Sequence, residues 1–142
     1  MSALLLDTHI WLWYAEGNAE RLTAAGVKKL DQARRAEGLR ISPISIWEIG
    51  VQHAKGRIQL SAPLRDWVQD ALAPVGITLL PLDAESAAES TLLPGEPHAD
   101  PADRFLIAAA RIKGLILATR DKPIIDYGNL GHVRVLDVLS GT

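Results

Sequence analysis

Leu4-Leu5-Leu6-Asp7-Thr8-His9-Ile10-Trp11-Leu12-Trp13 opens with an apolar run too short for a helix, halts at one carboxylate, and resumes as a second apolar stretch. That order is expected of a buried parallel strand that hands over to a helix at its carboxyl end. The sign recurs downstream, where Leu115-Ile116-Leu117-Ala118-Thr119 is followed by Arg120-Asp121. Strand-like runs at 3–6, 39–42, 76–80, 115–119 and 133–136 alternate with helical patterns, which argues for right-handed βαβ units around a parallel sheet. The expected fold is α/β: one domain over 1–142, with a mostly parallel central sheet of about five strands flanked by helices in three layers.

The helical patterns carry their own detail. Leu64, Trp67, Val68, Ala71 and Leu72 recur at i, i+3, i+4, i+7 and i+8, the spacing of a core-facing helix. Ala84, Ala87, Ala88, Thr91 and Leu92 repeat it, with Asp83 as the expected N-cap. Pro94-Gly95-Glu96-Pro97-His98-Ala99-Asp100 suits neither helix nor central strand and reads as a surface loop. Core packing is expected for Trp11, Trp13, Trp47 and Trp67, although 10–14 is apolar on every side and one of its faces could cover a partner.

Composition bounds the function without naming it. A chain of 142 residues can bury roughly two-thirds of its unfolded surface with no staple. The absence of cysteine excludes disulfides, zinc–thiolate sites and thiol nucleophiles, and it fits a reducing cytoplasm. No segment approaches the ~18 apolar residues of a membrane span, and no basic stretch precedes the apolar N-terminus, so a soluble, unexported, cytoplasmic protein is expected. A net charge of −2 leaves any nucleic-acid contact to local basic groups. Neither a P-loop nor a GxGxxG motif is present.

Four acids stand out by position. Asp7 and Asp121 close strand-like runs. Glu48 lies in Ile44-Ser45-Ile46-Trp47-Glu48-Ile49-Gly50-Val51, on a stripe with Ile44, Trp47 and Val51. Asp103 shares a helix face with Leu106, Ile107 and Ala110, while Arg104, Ala108 and Arg111 form the wetter stripe. Each has an ordinary structural explanation: Asp7 and Asp121 as N-caps, Glu48 in a buried salt bridge, and Asp100-Pro101-Ala102-Asp103 as a helix start with Asp100 at the N-cap. Taken jointly they point elsewhere. Carboxylates gathered where strand order reverses repel one another unless a metal joins them, and hydrated Mg²⁺ is the usual guest. The pattern reads as a metal-dependent active site built from Asp7, Glu48, Asp103 and Asp121.

These same stretches carry a resemblance. Leu4-Leu5-Leu6-Asp7-Thr8-His9, Ile41-Ser42-Pro43-Ile44-Ser45-Ile46-Trp47-Glu48-Ile49, His98-Ala99-Asp100-Pro101-Ala102-Asp103-Arg104-Phe105-Leu106 and Ala118-Thr119-Arg120-Asp121 resemble, in order, the successive blocks of PIN-domain nucleases, and most of all the VapC toxins of bacterial toxin–antitoxin pairs. Ala102 departs from the bulkier apolar residue usual in that block. The resemblance implies an acidic quartet of Asp7, Glu48, Asp103 and Asp121 with Thr119 as a polar helper. It implies hydrolysis of RNA by water activated on Mg²⁺ or Mn²⁺, a second copy of the chain as partner, and a VapB-type antitoxin whose tail lies over the groove.

Around the quartet the sequence leaves choices open. Arg104 adjoins Asp103, and Arg120 and Lys122 flank Asp121; each can steer phosphate to the site or be a solvated surface charge. His9 reads as a polar helix residue, His98 as a loop residue, His53 as a helix end and His132 as part of a turn. A PIN-family nuclease that is not a toxin remains an alternative. A haloacid-dehalogenase-like phosphatase would want a second acid where His9 stands. A receiver domain would want an acidic pair after the first strand. A binding module with a degenerate site would not need all four acids.

Overall fold

In a computed structural model that describes residues 2–139, twelve elements alternate along the chain. They are β1 (Leu4–Leu6), α1 (Thr8–Glu16), α2 (Ala24–Ala36), β2 (Leu39–Ile41), α3 (Pro43–Ala54), α4 (Leu64–Leu72), β3 (Ile77–Leu79), α5 (Ala84–Glu89), α6 (Pro101–Lys113), β4 (Ile116–Thr119), α7 (Lys122–Asn129) and β5 (Val135–Asp137). The strands form one sheet in the order β3-β2-β1-β4-β5, and every pairing is parallel. All five expected strands are present. The last is displaced: it begins at Val135, and Val133 before it is buried in the core.

Two cores sandwich the sheet, as the alternation of strand side chains requires. Leu4, Leu6, Leu39, Ile41 and Ala118 face one core, where α1, α2, α3 and α4 contribute Ile10, Trp11, Leu30, Ile49 and Trp67. Leu5 and Leu117 face the other, where α6 and α7 contribute Leu106, Ile107, Ile124 and Tyr127. The result is the expected three layers. Leu5 and Leu6 are fully buried, each supplying roughly 1.5–3 kcal/mol of transfer free energy.

Local signals set the helix ends. Ser42 accepts from the Ile44 N–H at 3.2 Å and Pro43 occupies the first turn of α3. Asp83 caps α5 by accepting from the Ser86 N–H at 2.7 Å. Gly114 ends α6 at φ +66°, a left-handed position that lets the chain reverse into β4 within two residues.

Three expected faces are different in the structure. On α5 the inward residues are Ser86 and Ser90, followed by Leu93, and Leu92 is 71% exposed. The helix uses small hydroxyl residues to approach α6 closely, and Ser90 returns its hydroxyl to the Ala87 carbonyl at 2.6 Å. On α3 the inward stripe is Ser45 and Ile49, and Trp47, half a turn round the helix from it, is 61% exposed. On α6, Ala108 is fully buried, so the wet side is limited to residues such as Arg104 and Arg111.

Candidate active site

Because β1 leads through α1 and α2 to β2 on one side while β4 returns on the other, the strand order reverses between β1 and β4. A crevice at the carboxyl ends of these strands is the position where open α/β sheets gather ligands. Asp7 follows β1 and Asp121 follows β4 after one intervening residue. Register fixes the two ends side by side, since Leu6 pairs with Ala118 and the Asp7 N–H donates to the Ala118 carbonyl at 2.9 Å.

Asp7 is both a helix cap and a member of the cluster. Its Oδ1 accepts the Thr8 N–H at 2.7 Å, and its Oδ2 accepts the Thr119 hydroxyl at 2.6 Å. It is 6% exposed, and burial pushes its carboxyl above the ordinary range while these two donors pull the other way.

Glu48 reaches in from α3. It accepts a short hydrogen bond from the Thr8 hydroxyl, which also lies 2.8 Å from Ser45 Oγ. Burial raises its pKa first, and Thr8 opposes the rise; Asp100 and Asp7 then add repulsion. The α6 acid Asp103 is raised furthest, to about 8, by burial and then by Asp7, Asp100, Glu48 and Asp121. The structure therefore brings all four acids into one mutually repelling group.

Asp121 occupies the N-cap position of α7 yet makes no capping hydrogen bond. Its Oδ2 is buried and unpartnered among the described residues, while its own N–H is held by the Thr119 hydroxyl at 2.9 Å. A buried carboxylate oxygen without a donor is unfavourable unless a cation serves it. Asp100, by contrast, is an ordinary cap: it accepts from the Ala102 and Asp103 N–H groups at 2.8 and 3.3 Å.

Sequence reasoning missed three members. Thr8 and Ser45 orient Glu48. Ser45 precedes Glu48 by one helical turn and shares its side, so the spacing carried a signal. His98, read as a plain loop residue, places Nε2 3.4 Å from Asp103 Oδ2 and 3.7 Å from Asp121 Oδ2. The polar atoms of His98, Asp103 and Asp121 lie within 4.8 Å of one another. Its Nδ1 accepts the Asp100 N–H at 3.0 Å, so the neutral ring carries its proton on Nε2 and faces the acids as a donor. The atoms suited to holding a cation are therefore carboxylate oxygens, a donor set that fits hard Mg²⁺ or Mn²⁺.

The flanking basic residues divide. Arg104 donates through Nε to the His98 carbonyl at 2.8 Å, and Lys122 pairs with Asp126 at 3.2 Å. Arg120 lies against the Trp13 ring, its guanidinium carbon 5.1 Å from the centroid.

A doubly flanked parallel sheet with a carboxylate cluster at its switch point places the chain among α/β proteins whose ligand site lies at the carboxyl ends of the strands. Residues 4–130 match the PIN domain, and the chain belongs to the PIN-domain family. It is 32% identical over 125 residues to Ribonuclease VapC22 of Mycobacterium tuberculosis, an alignment covering 86% of this chain and 89% of that protein. Solved structures share the fold at lower identity. VapBC2 from Rickettsia felis bound to a promoter DNA fragment superposes with a TM-score of 0.69 at 13% identity, covering 94% of this chain and 97% of that one. VapBC-1 from nontypeable Haemophilus influenzae superposes at 0.66 with 16% identity, covering 97% and 99%.

Proposed function

We propose that this chain is a metal-dependent endoribonuclease acting as the toxin of a VapBC-type pair. The observation that carries the reading is the convergence of Asp7, Glu48, Asp103 and Asp121 at the switch point of a PIN-family chain that is 32% identical to a named ribonuclease. Asp7, Asp103 and Asp121, with Glu48 beside them, would hold Mg²⁺ or Mn²⁺. When bound, such an ion orients and acidifies a water and offsets charge on the phosphodiester at the leaving oxygen.

The chain's own residues set the stage for that step. Thr119 fixes the rotamer of Asp7 and the N–H of Asp121 with one hydroxyl. Thr8 and Ser45 hold Glu48 at the rim. His98 places its Nε2 near both Asp103 and Asp121, at 3.4 and 3.7 Å, without forming a hydrogen bond to either.

The partners proposed are RNA, a second copy of the chain and a VapB-type antitoxin, and the location is the cytoplasm. Support for the antitoxin comes from fold likeness to structures described as VapBC complexes. A carboxylate-rich groove favours an inhibitor that inserts an Arg or Lys among the four acids. Among the described residues no helix is long and apolar enough to cross a membrane.

Cleavage mapping on total RNA with Mg²⁺ or Mn²⁺ tests the reading. Asp7→Asn and Glu48→Gln should each abolish nearly all cleavage with the fold intact, and chelator should do the same to the wild type. Undiminished cleavage by either purified variant would refute the quartet.

A further inference from the structure

We propose that His9, Trp13 and Arg120 form a stacking ridge beside the carboxylates that receives a nucleobase and its phosphate from single-stranded RNA. The inference rests on the ribonuclease reading above and adds a substrate subsite to it.

The ridge is a row of three planar groups. His9 and Trp13 lie one helical turn apart on α1, with ring centroids 5.5 Å apart and planes inclined at 38°. Arg120, in the link between β4 and α7, lies over the Trp13 ring at 5.1 Å. Trp13 is half-buried, whereas His9 and Arg120 are exposed. The indole is thus a spine that holds two planar groups at the surface.

Its place ties it to the site. His9 lines one small pocket together with Thr8 and Glu48. Arg120 sits between Thr119 and Asp121 in the chain. The ridge therefore borders the carboxylates from the Glu48 side to the Asp121 side.

Charge points to its use. Of the three basic residues that flank the acids in sequence, Arg104 is spent on the His98 carbonyl and Lys122 on Asp126. Arg120 makes no ion pair with an acid among the described residues, although Asp121 is its neighbour; the Trp13 ring holds its guanidinium instead. A guanidinium held over an aromatic ring by cation–π attraction keeps N–H donors for a phosphate and a planar group for a base. An exposed imidazole offers a second stacking face. Duplex RNA covers both faces of its bases, so a ridge of this kind selects unpaired nucleotides.

The test measures binding of a fluorescein-labelled single-stranded RNA 12-mer of mixed sequence by anisotropy, in the Asp7→Asn background with Mg²⁺, where cleavage is blocked. His9→Ala, Trp13→Ala and Arg120→Ala should each weaken binding roughly five- to a hundredfold, the range for loss of one base stack. Trp13→Phe should restore binding, which separates a lost stack from a lost fold, and melting temperatures check the fold of each variant. Arg120→Ala should also lower the salt slope by about one, whereas Arg120→Lys keeps the slope but binds more weakly than Arg. Lys122→Ala should leave affinity unchanged. Annealing the probe to its complement should weaken binding. Equal affinity in His9→Ala and Arg120→Ala, equal binding of the duplex, or no binding by the Asp7→Asn protein overturns the subsite. A wild type that shows the ridge-dependent binding yet cleaves no RNA with Mg²⁺ or Mn²⁺ would fail the nuclease reading and leave the subsite standing.

Discussion

The Thr119 hydroxyl donates to Asp7 Oδ2 at 2.6 Å and accepts the Asp121 N–H at 2.9 Å, so one buried side chain joins the ends of β1 and β4. Neither strand can shift register without breaking it. Thr119→Val removes both bonds and keeps the shape, leaving Asp7 Oδ2 and the Asp121 N–H unpaired. Stability should fall by about 1–3 kcal/mol, and cleavage should fall further, because Asp7 loses its orientation. Thr119→Ser should recover most of both. Denaturant melts and RNA cleavage rates on the two variants check this, and a fully active Thr119→Val would show that the link is not needed.

With the Asp103 carboxyl pushed up to about 8 from 3.8, the metal-free fold should lose stability as pH rises. Below the unfolded value both states bear the proton and nothing is lost. Between the two values the unfolded chain releases it while the folded chain retains it, so the derivative of unfolding free energy with pH is negative. Above about 8 the loss levels off. In chelator the melting temperature should decline from near pH 4 to near pH 8. Metal must displace that proton, so the apparent Mg²⁺ affinity should tighten as pH rises through the same window. A flat melting profile in chelator would contradict the cluster.

His98 faces the acids with Nε2–H, so the nitrogen turned towards them has no lone pair for a metal. His98→Ala should lower stability in chelator by at most about 1 kcal/mol, the value of the Asp100 N–H hydrogen bond to Nδ1 that it removes. It should leave the preference among cations unchanged. Imidazole ligation would favour Zn²⁺ over Mg²⁺. Calorimetric titration with both ions decides: a variant that loses Zn²⁺ affinity far more than Mg²⁺ affinity would place His98 on the metal.

The sheet was legible because β1 and β4 are apolar runs followed by a carboxylate and β2 and β3 set a polar residue between two apolar ones, and parallel pairing follows from the helices between. Asp7, Glu48, Asp103 and Asp121 were legible because an acid at a strand end or on an apolar face needs a partner. His98 was not: nothing in Pro97-His98-Ala99 shows that the ring folds back onto α6, since the hydrogen bond that turns it is donated by the Asp100 backbone. Trp47 misled because apolar spacing is blind to which of two adjacent stripes the neighbouring helices cover; Ser45, small and hydroxylated, takes the inner place. The same blindness reversed α5.

That reversal has a direct check. Leu92→Asp, at an exposed position, should change stability by no more than about 0.5 kcal/mol. Leu93→Ala, at 9% exposure in the second core, should cost about 2–5 kcal/mol. Comparable losses from the two would return α5 to the face that its alanines suggest.

Asp100 and Asp103, three residues apart at the start of α6, should respond to neutralisation with opposite signs. Asp100 caps the helix, and Asp100→Ala exposes two N–H groups, so chelated protein should lose roughly 0.5–2 kcal/mol. Asp103 caps nothing and is repelled by its neighbours. Asp103→Asn should therefore melt at or above the wild type in chelator at neutral pH, and its melting temperature should decline less steeply between pH 4 and pH 8, the remaining decline coming from the raised Asp7 and Glu48 carboxyls. Added Mg²⁺ well above its Kd should raise the wild type and Asp100→Ala alike by mass action, a few kcal/mol at about a hundred times Kd, and Asp103→Asn much less. Melting curves of the three proteins against Mg²⁺ concentration separate the roles. If Asp103→Asn melts clearly lower in chelator and answers Mg²⁺ as the wild type does, Asp103 is a structural residue and the quartet is a trio.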